Sequence, residues 1–178
     1  MDGCNEIWSN TWKFNIIKYL EEKRISMTSH YVKDMIHLKQ PDNKSCTSTC
    51  IAMLTGLKVS KVKKEFHDKY MSGKITAQSY LDSLGLLTRS ALSTDRFLVR
   101  GCRYILCVPS LNLDGMFHNI VVDASTEPVT VYDPQKGNDV NFYNKWGDIK
   151  GYCIDVEIFP TEEVLTAYEN PTKSKEIG

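Results

Sequence analysis

His118-Asn-Ile-Val-Val-Asp-Ala-Ser-Thr-Glu-Pro-Val-Thr-Val-Tyr-Asp133 reads as a β-hairpin. His118 to Asp123 is rich in β-branched residues, Ala124 to Pro128 is turn chemistry, and Val129 to Asp133 returns. Upstream, Tyr104 to Pro109 is an apolar run of strand length, followed by a loop over 110–117 containing Asp114-Gly115. Downstream, Gly151 to Phe159 gives one more strand. Ahead of residue 90 the period is helical. Residues 10–23 place Trp12, Ile16, Tyr19 and Leu20 at helical spacing, and residues 31–38 suggest a short helix or lead-in. Ser45 reads as the N-cap of a buried helix from Cys46 to Thr55, which Gly56 ends. Ser60 opens another helix with Val62, Phe66 and Tyr70 on one face, and Thr76 caps a third that ends at Gly85. From Thr161 a short helix is expected, with a frayed tail from Pro171. Helices first, then an antiparallel sheet, make an α+β domain. The expected division is a helical extension over 1–35, the domain over 36–160, and a C-terminal helix and tail over 161–178.

At 178 residues the chain is long enough for one substantial core. Lys plus Arg and Asp plus Glu both number 22, so formal net charge is zero. That balance argues against a phosphate-backbone footprint, and so against nucleic acid as partner. No apolar run is long enough to cross a membrane, and the polar start Met1-Asp2-Gly3-Cys4-Asn5-Glu6 carries no signal-peptide core. The six cysteines, at 4, 46, 50, 102, 107 and 153, form no zinc-ligand spacing. The simplest expectation is a cytoplasmic protein with reduced thiols. The oligomeric state is left open.

Four side chains stand out against this background. A cysteine attacks as its thiolate, and both a helix N-terminus and a neighbouring imidazolium stabilise that form. Cys46 lies in the first turn of its expected helix. His118, at a strand mouth after a loop, is the best of the four histidines to meet it; His30 and His37 precede the helix, and His67 lies on a polar helix side. Asp133 ends the pairing strand, where it can orient the imidazole, and Pro134 favours an extended Asp133. Gln40, six residues before Cys46 across the Pro41-Asp42-Asn43-Lys44 turn, can join the Cys46 N–H in an oxyanion hole. Cys50, one helical turn on, reads as core, and Cys102, Cys107 and Cys153 as packed in or near the sheet. Trp146 reads as core or a packing lid, and Lys61, Lys63 and Lys64 as a solvated face.

Gln40-Pro-Asp-Asn-Lys-Ser-Cys46-Thr-Ser-Thr-Cys50-Ile-Ala-Met-Leu54 resembles the catalytic-cysteine motif of the bacteriocin-processing, double-glycine-leader peptidases, a papain-like family. His118-Asn-Ile-Val-Val resembles its histidine strand, Asp133-Pro-Gln-Lys-Gly137 its Asp-Pro-x-x-Gly turn, and Phe142-Tyr-Asn-Lys-Trp146-Gly147 its closing segment. The similarity spans about residues 36–159. It implies a papain-like fold with Cys46 as nucleophile, His118 as base, Asp133 as orienter and Gln40 as oxyanion donor. No cofactor or metal is implied. Two features depart from the family: Thr47 stands where glycine is usual, and neither transmembrane segments nor a phosphate-cradling loop accompany the domain. The double-glycine leader is therefore not carried over as substrate.

The resulting expectation is a free-standing cysteine peptidase acting on a peptide or isopeptide bond of a peptide or protein substrate. The same acyl-enzyme attacked by an amine would make a transamidase, and a glutamine substrate a deamidase. A non-enzymatic alternative is a peptidase-like fold kept as a binding or inhibitory module, favoured by Thr47 and the added residues 1–35.

Overall fold

The computed structural model describes residues 31–90, 98 and 100–160. The helices expected over 10–23 and from Thr161 lie outside them.

Helix α1, Cys46–Thr55, anchors the fold. Every residue after Cys46 is buried, although Thr47, Ser48, Thr49 and Thr55 carry hydroxyls. Its hydroxyls do not strain that burial: Thr49 Oγ1 donates to the Ser45 carbonyl at 2.8 Å and Thr55 Oγ1 to the Ile51 carbonyl at 2.7 Å. Gly56 stops the helix with φ of +68°, the left-handed conformation glycine favours. Ser45 occupies the N-cap position but does not cap. Its backbone (φ −102°, ψ 19°) is not the extended form that carries a hydroxyl over the first turn, and Oγ donates backwards to the Asp42 carbonyl at 3.2 Å.

The next helical stretch runs over 59–71 as α2, Val59–Val62, a π-helical turn, Lys63–His67, and α3, Asp68–Met71. It starts one residue earlier than Ser60. Val62 and Phe66 are fully buried, and Tyr70 stacks on Phe66 with ring centroids 4.9 Å apart. Helix α4, Ala77–Ser83, carries the expected Thr76 cap as a full capping box with Ser79.

Five strands form one antiparallel sheet in the order β1-β5-β2-β3-β4. They are β1 Leu87–Ser90, β2 Arg103–Pro109, β3 Phe117–Asp123, β4 Thr130–Tyr132 and β5 Cys153–Phe159. Three of these follow the sequence reading closely, and β4 is shorter than the expected return. β1 was not expected: Leu-Thr-Arg-Ser is a polar edge strand, held by its rungs to β5 and by Thr88 Oγ1 donating to Asp82 at 2.7 Å. One face of the sheet packs on the helices, where Ile105, Val121, Val156 and Ile158 meet Ile51, Leu54, Phe66 and Leu81. The other buries Tyr104, Leu106, Val108, Ile120, Val122 and Tyr143. Trp146 packs partly buried on this second layer, 5.4 Å from the Tyr152 ring.

Residues 31–38 are a lead-in, not a helix. The buried Arg103 explains why. Its Nε binds Asp123 at 2.8 Å while its two terminal nitrogens bind the carbonyls of Val32 and Lys33, the second at 2.7 Å. Those carbonyls would otherwise be helix acceptors. The lead-in is thereby tied to the sheet and delivers Gln40 to the site. No helix among the described residues is long and apolar enough to cross a membrane.

Candidate active site

Cys46 is the first residue of α1, and because Ser45 does not cap, the first-turn N–H groups face outward without a side-chain acceptor. Burial alone would disfavour a Cys46 thiolate. The His118 imidazole, the Asn119 backbone N–H and the Thr47 hydroxyl oppose burial and bring the thiol below its ordinary value.

Asp133 is fully buried just beyond β4, and its carboxylate is filled on both oxygens. Oδ1 accepts from His118 Nε2 at 2.7 Å and from the Gln135 N–H at 2.8 Å. Oδ2 accepts from the Tyr143 N–H at 2.8 Å. With Nε2 committed to Asp133, Nδ1 is the nitrogen left for Cys46. Burial opposes the His118 charge, but the Asp133 hydrogen bond and the Cys46 thiolate outweigh it and push His118 up to about 9. A lowered thiol facing a raised imidazole favours the thiolate–imidazolium form over the neutral pair.

Gln40 is buried beside this pair's support. Its N–H donates to the Pro134 carbonyl at 2.8 Å, so the loop before α1 and the Asp133 turn form one rigid unit. Its Oε1 is buried and has no hydrogen-bond partner. The structure thus brings Cys46, His118 and Asp133 into one relay and joins Gln40's backbone to the turn that holds Asp133.

Several supporting groups were invisible in the sequence. His37, set aside as lying before the helix, donates Nε2 to the Asp133 carbonyl at 2.7 Å. Tyr143 was read only as part of a closing segment, yet its backbone holds Asp133 and its hydroxyl donates to the Pro109 carbonyl at 2.8 Å. Asn119 contacts both cysteines of α1: its N–H faces Cys46, and its carbonyl accepts from Cys50 Sγ at 3.4 Å. A β-branched run around an Asn was the only available signal. His67 stays outside the relay and hydrogen-bonds Ser48 Oγ through Nδ1 at 3.3 Å.

No group of three or more His, Cys, Asp or Glu side chains among the described residues could hold a metal ion. The five described cysteines carry free thiols. No protein-family model matches the chain, and no curated protein matches it.

Proposed function

We propose that the chain is a cysteine peptidase with a papain-like fold, akin to the double-glycine-leader peptidases, cleaving a peptide or isopeptide bond of a peptide or protein substrate. The observation that carries this reading is the His118–Asp133 hydrogen bond of 2.7 Å set beside a thiol at an uncapped helix start. A structural cysteine needs no such relay; a nucleophile does. Cys46 attacks the carbonyl carbon as thiolate, forming a C–S bond and an oxyanion. The Cys46 N–H and the Gln40 amide NH₂ stabilise that oxyanion. His118 protonates the leaving amine, and the C–N bond breaks to leave an acyl-enzyme. His118 then takes a proton from water, whose oxygen forms a C–O bond to the acyl carbon; the C–S bond breaks, releasing the acid and restoring the Cys46 thiolate beside a protonated His118.

The test is a degenerate peptide library read by mass spectrometry, with wild type and Cys46→Ala in parallel. Cut peptides in the wild-type reaction alone support the reading. Equal cutting by both proteins, or none by either, removes it. Product mass also assigns the acceptor: water gives the acid, whereas an added amine retained in the product would make the chain a transamidase.

A further inference from the structure

The ladder between β2 and β5 breaks at one point. Ile105 pairs with Val156 and Leu106 with Ile154, so Asp155 is the extra residue of a β-bulge. Such a bulge bends its strand locally and re-aims a side chain. Here the re-aimed carboxylate accepts from Asn119 Nδ2 at 3.2 Å. Asn119 follows His118 and turns its N–H to the Cys46 sulfur. The bulge therefore sets a carboxylate one residue from the proposed relay.

Its surroundings place it on the Cys46 side of the sheet. Cys107 is the register partner of both Asn119 and Cys153, and its thiol feels the charges of Asp155 and Cys46 together. So does the Tyr70 hydroxyl, which faces the Thr47 side chain. Asp155, Cys107 and Tyr70 are all only partly buried, so this wall is reachable from solvent.

The buried acids on the sheet and its turns are matched. Asp123 has Arg103, Asp133 has His118, and Glu157 has Arg89 and the Tyr104 hydroxyl. No ion pair among the described residues includes Asp155, which has one amide donor for two oxygens. A sheltered carboxylate without a cation is costly unless a cation arrives. Burial raises Asp155 above the ordinary carboxyl range, the direction a bound ammonium or guanidinium would reverse.

We infer that Asp155, with Tyr70 and Cys107 beside it, forms a substrate subsite next to Cys46 that takes a lysine or arginine side chain of the peptide. The inference rests on the peptidase reading and names the substrate class of that site. Thr47 fits it as a neutral side chain between the nucleophile and Tyr70.

The test uses pairs of peptidyl chloromethyl ketones differing only by lysine against norleucine at one residue, scanned over the residues preceding the ketone. Alkylation of Cys46 is followed by intact mass. The lysine reagent is expected to react at least ~10-fold faster at one position, as a hydrogen-bonded charge pair provides. Asp155→Asn, which keeps the shape and an acceptor for Asn119, should collapse that ratio. A ratio near one at every position in the wild type overturns the subsite. So does an Asp155→Asn variant that slows both reagents equally, which would make Asp155 only a brace for Asn119. If neither ketone labels Cys46 faster than iodoacetamide does, the peptidase reading fails and the subsite with it. Peptide-like labelling without a basic preference removes the subsite alone.

Discussion

Cys50 donates its thiol proton to the Asn119 carbonyl at 3.4 Å, while the N–H of the same Asn119 is turned to the Cys46 sulfur one helical turn away. Asn119 lies beyond the last rung of β4, Val121 to Tyr132, so its backbone has no strand to pair with on that side. Helix α1 supplies the missing partners with two cysteines spaced four apart. This contact sets the height of Cys46 against the strand that carries His118. Burial raises the Cys50 thiol well above its ordinary value, so Cys50 is a donor and not a second nucleophile.

Cys50→Ala removes that donor from a fully buried position. The expected loss is about 1–3 kcal/mol of stability, from an unsatisfied carbonyl and a small cavity. The more telling effect is on Cys46, whose alkylation should slow as α1 loses its register. Cys50→Ser keeps a donor and should recover most of the Cys46 rate. Thermal melts and iodoacetamide kinetics on the three proteins check this; equal Cys46 rates in wild type and Cys50→Ala would remove the positioning role.

The pH profile follows from the two shifts. Cys46 is lowered and His118 is raised to about 9, so between those values the pair is thiolate and imidazolium. Below the window Cys46 gains a proton and the nucleophile is lost. Above about 9 His118 loses its proton and the leaving amine has no acid. Turnover should therefore be bell-shaped. Alkylation, which needs no acid, should show only the lower limb, at a pH below the ~8.5 of a free thiol. His118→Ala should move that limb upward, because burial then acts on Cys46 with its largest opposing group removed. An alkylation midpoint indifferent to His118→Ala would take His118 out of the site.

Asp133 combines a chemical and a structural task, and two variants separate them. Asp133→Ala abandons three donors in a fully buried place, His118 Nε2 and the N–H groups of Gln135 and Tyr143. Breaking a buried pair in this way costs about 3–5 kcal/mol, so this variant should melt early. Asp133→Asn preserves volume but cannot hold the imidazolium. It should keep the fold, bring His118 down from about 9, and lower kcat/KM by ~10²–10⁴. The alkaline limb of turnover should move to lower pH with it. An Asn variant with the wild-type limb would assign the His118 shift to Cys46 alone.

Much of this architecture was legible because its signals are local. Helix α1 has a stop at Gly56 and no charged residue, and the Thr76 cap satisfies its own helix within three residues. The β3–β4 hairpin is a β-branched run on either side of a turn. What stayed hidden depends on tertiary partners. β1 exists because β5 offers it an edge, and the choice between helix and lead-in over 31–38 is made by Arg103, far along the chain, which takes the Val32 and Lys33 carbonyls. The same holds at the site. The chain order of Gln40, Cys46, His118 and Asp133 is a sequence property, whereas His37 bracing Asp133 and Asn119 bridging two cysteines are produced by folding. The bulge at Asp155 comes from a register slip that no single strand displays.

Gln40 offers the sharpest separation of chemistry from binding. Its backbone is pinned independently of its side chain: the N–H donates to the Pro134 carbonyl at 2.8 Å, and Asn138 Nδ2 reaches its carbonyl at 3.5 Å. Replacing the side chain should therefore leave the loop in place. In the proposed mechanism the amide acts only once negative charge develops on the oxyanion, so Gln40→Ala should lower kcat by ~10²–10³ with little change in KM. Gln40→Glu should be worse than alanine, because a buried carboxylate would repel the oxyanion it replaces a donor for. Alkylation of Cys46, which forms no oxyanion, should be nearly indifferent to Gln40→Ala. Single-turnover rates beside alkylation rates decide the matter: a loss confined to KM would make Gln40 a substrate contact, and an equal loss in alkylation would make it a support for Cys46.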